Sequence, residues 1–226
     1  DEGLRHKADS LGRMVDVLVQ MASSVKTVQV TESTPHDFLR EPPEFLGQYD
    51  PHVWFDVSMW KFAVERTRDA LREARPAHAG EFDANAAAYL VKMDELHAYA
   101  KTRIATIPPE TRVLVTAHDA FGYFGRAYGI EVLGLQGIST ASEYGLQDVD
   151  KLVEVLVSRK IRAVFVESSI SPKSIEALVS GAQSRGHDLK IGGQLFSDAM
   201  GAAGTPEGTY LGMVRHNVDT IVGALK

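Results

Sequence analysis

The chain has no cysteine among its 226 residues. Disulfides, zinc fingers, iron–sulfur ligation and thiol nucleophiles are excluded with it. That absence fits an oxidising compartment without requiring one. Basic residues are in the minority, 24 Lys and Arg against 30 Asp and Glu, for a formal net charge of −6. A nucleic-acid surface wants a basic stripe, so this balance argues against one. No apolar run approaches the roughly 20 residues of a membrane span. The start, Asp1-Glu2-Gly3, has no charged and apolar leader, and reads as a cytoplasmic chain or as a mature or truncated product. Compact signatures are missing too. There is no Gly-x-Ser-x-Gly elbow for a serine hydrolase. The glycine-rich stretches lack the lysine of a phosphate-binding loop. His-Glu-x-x-His and His-x-His do not occur.

What remains is ordinary globular composition, 44% hydrophobic and 24% charged, enough for a buried core. The length suits one large domain or two small ones. Leu11, Met14, Val15, Leu18 and Met21 recur at helical spacing and predict a helix over 4–22. A short strand over 25–30 and a proline-bearing loop over 31–50 follow. Asp56 or Ser58 caps a helix to about Arg75, and a longer one runs over 79–106 until Pro108-Pro109 stops it.

Beyond that stop the pattern is regular: strands over 112–116, 131–135, 162–167 and 189–193, each followed by a helix. Such alternation predicts a parallel sheet covered on both faces. Ligands in these sheets bind beyond the carboxyl ends of the strands. The polar residues placed there are His118 and Asp119, then Ser139, Thr140, Ser142 and Glu143, then Glu167, Ser168 and Ser169, then Ser197 and Asp198. Asp50-Pro51-His52-Val53-Trp54 lies in a loop across the long helix. Two histidines and an aspartate, His52, His118 and Asp198, can therefore converge from three loops. Imidazole and carboxylate without thiol suit a borderline divalent metal such as zinc or manganese. Each residue also has an ordinary structural role open to it. His118 could cap a helix or bond inside the core, His52 could be a turn residue, Asp198 an N-cap, and Glu167 a satisfied buried carboxylate. His6, His36, His78, His97, His187 and His216 read as solvated or structural.

Four motifs in register carry a resemblance: Asp-Pro-His-Val-Trp-Phe-Asp from Asp50, Thr-Ala-His-Asp-Ala-Phe-Gly-Tyr-Phe from Thr116, Gly-Leu-Gln-Gly-Ile-Ser-Thr-Ala-Ser-Glu from Gly134, and Leu-Phe-Ser-Asp-Ala-Met-Gly from Leu195. The chain resembles the zinc/manganese-binding receptors of ABC importers, the cluster A-I (cluster 9) solute-binding proteins of TroA type. The resemblance implies a two-lobed α/β fold joined by one long rigid helix, with residues 1–78 as a partial N-terminal lobe, 79–107 as the connector and 108–226 as the C-terminal lobe. It implies metal ligands at His52, His118 and Asp198. It implies a periplasmic or extracellular, membrane-associated lipoprotein that delivers Zn2+ or Mn2+ to a membrane permease, and that is not an enzyme. Some manganese-selective relatives carry glutamate at the place of His118, so histidine there resembles the zinc or zinc/manganese branch.

The family supplies a further histidine from ahead of the region where this sequence starts. The sequence thus reads either as a fragment or as a short receptor with three protein ligands plus water, and an incomplete lobe predicts an exposed edge or an oligomer. Asp119, Glu167 and Ser139 are the expected supports of the imidazoles. Two other readings compete: a zinc hydrolase with Glu167 or Glu143 as general base, and an adhesion module with a structural metal.

Overall fold

A computed structural model of the protein describes residues 39–40, 49–137 and 145–226. The expected helix over 4–22, the strand over 25–30, and Ser139, Thr140, Ser142 and Glu143 lie outside those residues, as do His6 and His36.

Asp56 opens the first helix, α1 (Val57–Ala74), and its carboxylate accepts the amides of Ser58 and Met59. Two of the free N–H groups of a helix start are satisfied there. A turn at Pro76–His78 leads into α2 (Ala79–Ile104), 26 residues that reach about 39 Å at 1.5 Å per residue. Met93, Leu96, Ala100 and Ile104 are buried on α2 at three- and four-residue spacing, so one stripe of its later half is core. Lys61 to Asp94 at 2.6 Å and Arg72 to Asp83 at 2.9 Å tie α2 to α1. Further along, Tyr99 and Arg103 both meet Asp219 of the last helix. These pairs are exposed and fix direction more than they add stability.

The second half alternates as the sequence predicts: β1 (Val113–His118), α3 (Gly122–Tyr128), β2 (Glu131–Gln136), α4 (Leu146–Ser158), β3 (Ala163–Glu167), α5 (Lys173–Ser184), β4 (Lys190–Leu195) and α6 (Tyr210–Leu225). Among the described residues all strand pairing is parallel, β1 with β2 and β3 with β4. The single sheet expected from the sequence is present as two hydrogen-bonded pairs lying side by side, β1 next to β3. At the end of β1 a side chain takes the place of a ladder bond. The His118 amide donates to Glu167 Oε1 at 2.9 Å.

Every residue of β1 is buried, because helices cover both faces. Val113, Val115 and Ala117 join the core on the α4–α5 side, while Leu114 joins the core shared with α2 and α6. On β3, Ala163 and Phe165 face the α2–α6 side and Val164 the other. Strand side chains alternate with period two. His118 therefore follows Leu114, and Glu167 follows Phe165, onto the same face. This parity brings the two residues together.

β4 runs through Gly192-Gly193, two residues further than the sequence suggests. Val164 pairs with Ile191 and Phe165 with Gly193, so Gly192 is an extra residue in the strand, a bulge. The glycines serve packing. A Cβ at Gly192 would stand 2.6 Å from the Ala224 methyl and 2.9 Å from the Phe165 ring. Gly193 has φ of +151°, which side chains rarely adopt. We expect Gly192→Ala to destabilise the protein by about 1–3 kcal/mol, as overpacked cores do, read as a lowered midpoint in urea with an unchanged m-value.

Candidate metal centre

Asp50, Pro51 and His52 form a tight turn just ahead of the Val53–Phe55 helical turn. Asp50 Oδ1 accepts the His52 amide at 3.0 Å, two residues on, as aspartates do in turns. The same oxygen stands 2.7 Å from His52 Nδ1. Asp50 is itself well held: its amide donates to Arg40 O at 2.9 Å, its carbonyl accepts the Tyr123 hydroxyl at 2.9 Å, and Oδ2 lies 3.4 Å from Arg40 Nη1. With Nδ1 engaged behind the ring, Nε2 is left facing forward.

His118 is built the same way from different parts. It is the last residue of β1 and fully buried. Its Nδ1 lies 2.6 Å from Glu167 Oε2, a close ionic contact. The contact is not aligned as a hydrogen bond, so both ring nitrogens and Glu167 Oε2 are without one among the described residues. The turn after His118 is tight, with the Ala120 amide donating to the His118 carbonyl at 3.0 Å and Thr116 Oγ1 to the same carbonyl at 2.9 Å.

Asp198 lies in the loop after β4. Its Oδ1 is 3.6 Å from His52 Nε2 and 3.4 Å from His118 Nε2. One donor atom from each of His52, His118 and Asp198 falls within 4.8 Å of the others. A tetrahedral ion with ligands at roughly 2.0–2.1 Å has ligand–ligand edges of about 3.3 Å. The two distances to Asp198 are close to such an edge, and the chemistry of the donor set suits a small divalent ion. The imidazole rings meet edge to face, with centroids 5.3 Å apart.

The electrostatics follow from the three carboxylates. Burial works against protonation of His118, but the carboxylates of Asp198 and Glu167 overcome it and raise the imidazole to about 9. His52 is also raised; burial opposes this and Asp198 and Asp50 outweigh it. Asp198 is held well below the usual carboxylate range by His118 and then His52. The metal-free centre is thus a compact arrangement of imidazolium and carboxylate.

Of the expected supports, Glu167 stands behind His118. Asp119 instead turns toward Arg40, with Oδ2 3.9 Å from Nη2. The role of Asp50 was missed, although an aspartate two residues before a histidine across a proline was a readable sign. The remaining described histidines have local partners. His78 lies near Glu81, His97 near the Tyr128 hydroxyl, and His187 and His216 at the carbonyls of Ile161 and Gln194.

A long helix packed on α/β elements, with two carboxylate-backed imidazoles and an aspartate meeting from three loops, defines a class: metal-capturing solute receptors. The chain matches, over residues 4–224, the family model described as ZnuA, zinc-uptake complex component A, periplasmic, and it belongs to that family. It is 50% identical over 215 residues to the manganese-binding lipoprotein MntA of Bacillus subtilis (strain 168), covering 95% of this chain and 70% of the relative. It is 49% identical over 213 residues to the zinc-binding protein TroA of Treponema pallidum (strain Nichols), covering 94% and 68%. Among solved structures, the periplasmic zinc-binding protein TroA from Treponema pallidum superposes with a TM-score of 0.82 at 47% identity, covering 92% of this chain and 76% of that one.

The raised basicity of His118 gives an expected outcome in the metal-free protein. Its ring should still be protonated at pH 7.5 and titrate near pH 9 by histidine NMR. Glu167→Gln should bring that midpoint down. Because folding raises this group above 6.5, its pairing contributes fully below that pH and fades as pH climbs through about 9.

Proposed function

We propose that the protein captures a divalent transition metal, zinc or manganese, outside the cytoplasm and delivers it to the membrane permease of an ABC importer. The observation that carries this reading is the convergence of His52 Nε2, His118 Nε2 and Asp198 Oδ1, with a carboxylate behind each imidazole. His52, His118 and Asp198 are the ligands in this reading. Asp50 and Glu167 orient the rings and raise their basicity, the usual support of metal-bound histidine. The named relatives, a manganese-binding lipoprotein and a zinc-binding protein, support the same cargo and an extracytoplasmic location. Among the described residues, no helix is long and apolar enough to cross a membrane.

A carrier is favoured over a hydrolase by the placement of Glu167. Both of its oxygens face His118, one the amide and one the ring, so Glu167 is not free to act as a general base. The family is one of solute uptake. In this reading α2 is the strut between a partial first lobe, residues 1–78, and a second lobe, residues 108–226. It packs on α1 along one part and on α6 along another.

Calorimetric titration of zinc into the metal-free protein tests the proposal. Exchange of His118 and Asp198 together for alanine should weaken binding at least about a hundredfold, since even supporting residues are worth 10- to 100-fold. Unchanged affinity in that double variant would remove the ligand assignment. The charge arrangement adds a second expectation. A divalent ion competes with the proton that the raised basicity of His118 keeps on its ring, so uptake should release protons at pH 7 and weaken as pH falls. Titrations in buffers of differing ionisation enthalpy measure this directly. Proton-independent binding would rule out the imidazoles as ligands.

A further inference from the structure

The three donor residues differ in what holds their backbone. His52 rises from a turn closed by Asp50, and His118 is the last residue of β1. Asp198 lies beyond Leu195, the end of β4, on irregular chain. Among the described residues β4 pairs only with β3, so its other edge meets no strand. Backbone groups of a strand point alternately to its two sides. β3 takes the Leu195 carbonyl through the Ser168 amide at 2.8 Å. Gln194 and Phe196 therefore turn their N–H and C=O groups away from β3. Left unpaired in the interior, such groups are costly.

The last helix, α6, meets that edge with side chains. His216 Nε2 lies 3.0 Å from the Gln194 carbonyl. Its neighbour Asn217 grips the next outward residue twice. Asn217 Oδ1 accepts the Phe196 amide at 2.9 Å, and Nδ2 donates to the Phe196 carbonyl at 2.8 Å. A side-chain amide carries acceptor and donor side by side, so Asn217 stands in for one residue of an absent neighbouring strand. It is fully buried, where asparagine is seldom found without such a partner. The following residue, Ser197, is also buried, and its carbonyl accepts Trp54 Nε1–H at 3.2 Å. The two residues ahead of Asp198 are thus held by their backbone, one from α6 and one from the segment after His52. This sets the point from which the Asp198 side chain springs and leaves the torsions of its carboxylate free.

We propose that Asn217 is a positioning residue of the metal site: by pairing with Phe196 it extends the edge of β4 and places Asp198 within reach of His52 and His118. The proposal rests on the assignment of Asp198 as a ligand made above. A purely structural asparagine would join α6 to β4 and leave the affinity for metal independent of Asp198. One that acts through Asp198 loses its effect when Asp198 is gone.

Zinc affinity, measured by competition with chelators of graded strength, tests this in the full chain, in Asn217→Ala, Asn217→Asp and Asp198→Ala, and in the double variant of Asn217→Ala with Asp198→Ala. Asn217→Ala should weaken zinc binding about ten- to a hundredfold, the range for groups that orient metal ligands. Asn217→Asp keeps the volume and the acceptor but sets an oxygen against the Phe196 carbonyl, so it should weaken zinc as well without opening a cavity. In the Asp198→Ala background the loss of Asn217 should cost less than about twofold, because groups acting as a unit are not additive. X-ray absorption at the zinc edge of Asn217→Ala should keep the imidazole scattering and lose carboxylate oxygen. Affinity within about twofold of the parent in both Asn217 variants, or an equal loss with and without Asp198, overturns the proposal. Undiminished zinc affinity in Asp198→Ala overturns the ligand assignment, and this proposal with it. The two failures are thus told apart by different variants.

Discussion

His52 and His118 lie with their rings in contact, both nearly out of water. Two imidazoles so placed repel once protonated, and burial makes either charge costly by itself. The arrangement stands because each ring has a carboxylate at its back and a third carboxylate lies between their outer nitrogens. The balance also suits the cargo. A divalent ion placed between the rings would take over the positive charge that faces the three carboxylates. The site can then fill and empty without stranding an unpaired charge in the interior. Asp50 and Glu167 make this possible, and both are present for reasons set well upstream of metal chemistry. One comes from a turn in which aspartate bonds two residues ahead. The other comes from the alternation of β3.

Rigidity at the centre is distributed unevenly, with a physical cause in each case. Phe55 stacks on Phe121 with centroids 4.3 Å apart, joining the segment after His52 to the segment after His118. The Tyr123 hydroxyl holds the Asp50 carbonyl, and the guanidinium of Arg40 occupies the space a side chain at Gly122 would need. The two histidines are thus fixed by packing on both flanks. Asp198 accepts from one hydroxyl, Ser169, and its neighbour Ser197 takes the indole N–H of Trp54 at its carbonyl. Polar tethers of this kind are weaker than buried aromatic packing. The carboxylate is the adaptable member of the set and the rings are the fixed ones.

Much of the fold could be read directly, and the misses have definite causes. The βα alternation and the long helix were legible because strand and helix periods differ and prolines mark the ends of α2. His52, His118 and Asp198 were nameable from motifs in register, but their meeting was not, since no local spacing encodes a distance across three loops. The division of strands into two pairs was invisible because βα alternation predicts parallel strands but not which neighbours hydrogen-bond. The purpose of Gly192-Gly193 was not readable. The glycines there make room for Ala224 and Thr220 of α6, a requirement that exists only once the helix is placed. Ser169 and Ser197 were visible as polar residues beyond strand ends. Which oxygen of Asp198 they would reach was not.

The imidazole at 118 and the carboxylate behind it are a single unit, and this limits how the site could be altered. A glutamate in place of His118 would bring a second carboxylate close against Glu167, which now lies 2.6 Å from the imidazole Nδ1. Two carboxylates at such range cannot both stay ionised, so one would hold a proton and lose its value as a donor or as a support. An all-oxygen ligand at 118 therefore requires a different partner at 167, and a change at 167 alone would leave the His118 ring without its anion. The preference for imidazole is written into β3 as much as into β1. The side chains presented at the ends of these two neighbouring strands are thus tied to each other by strand parity.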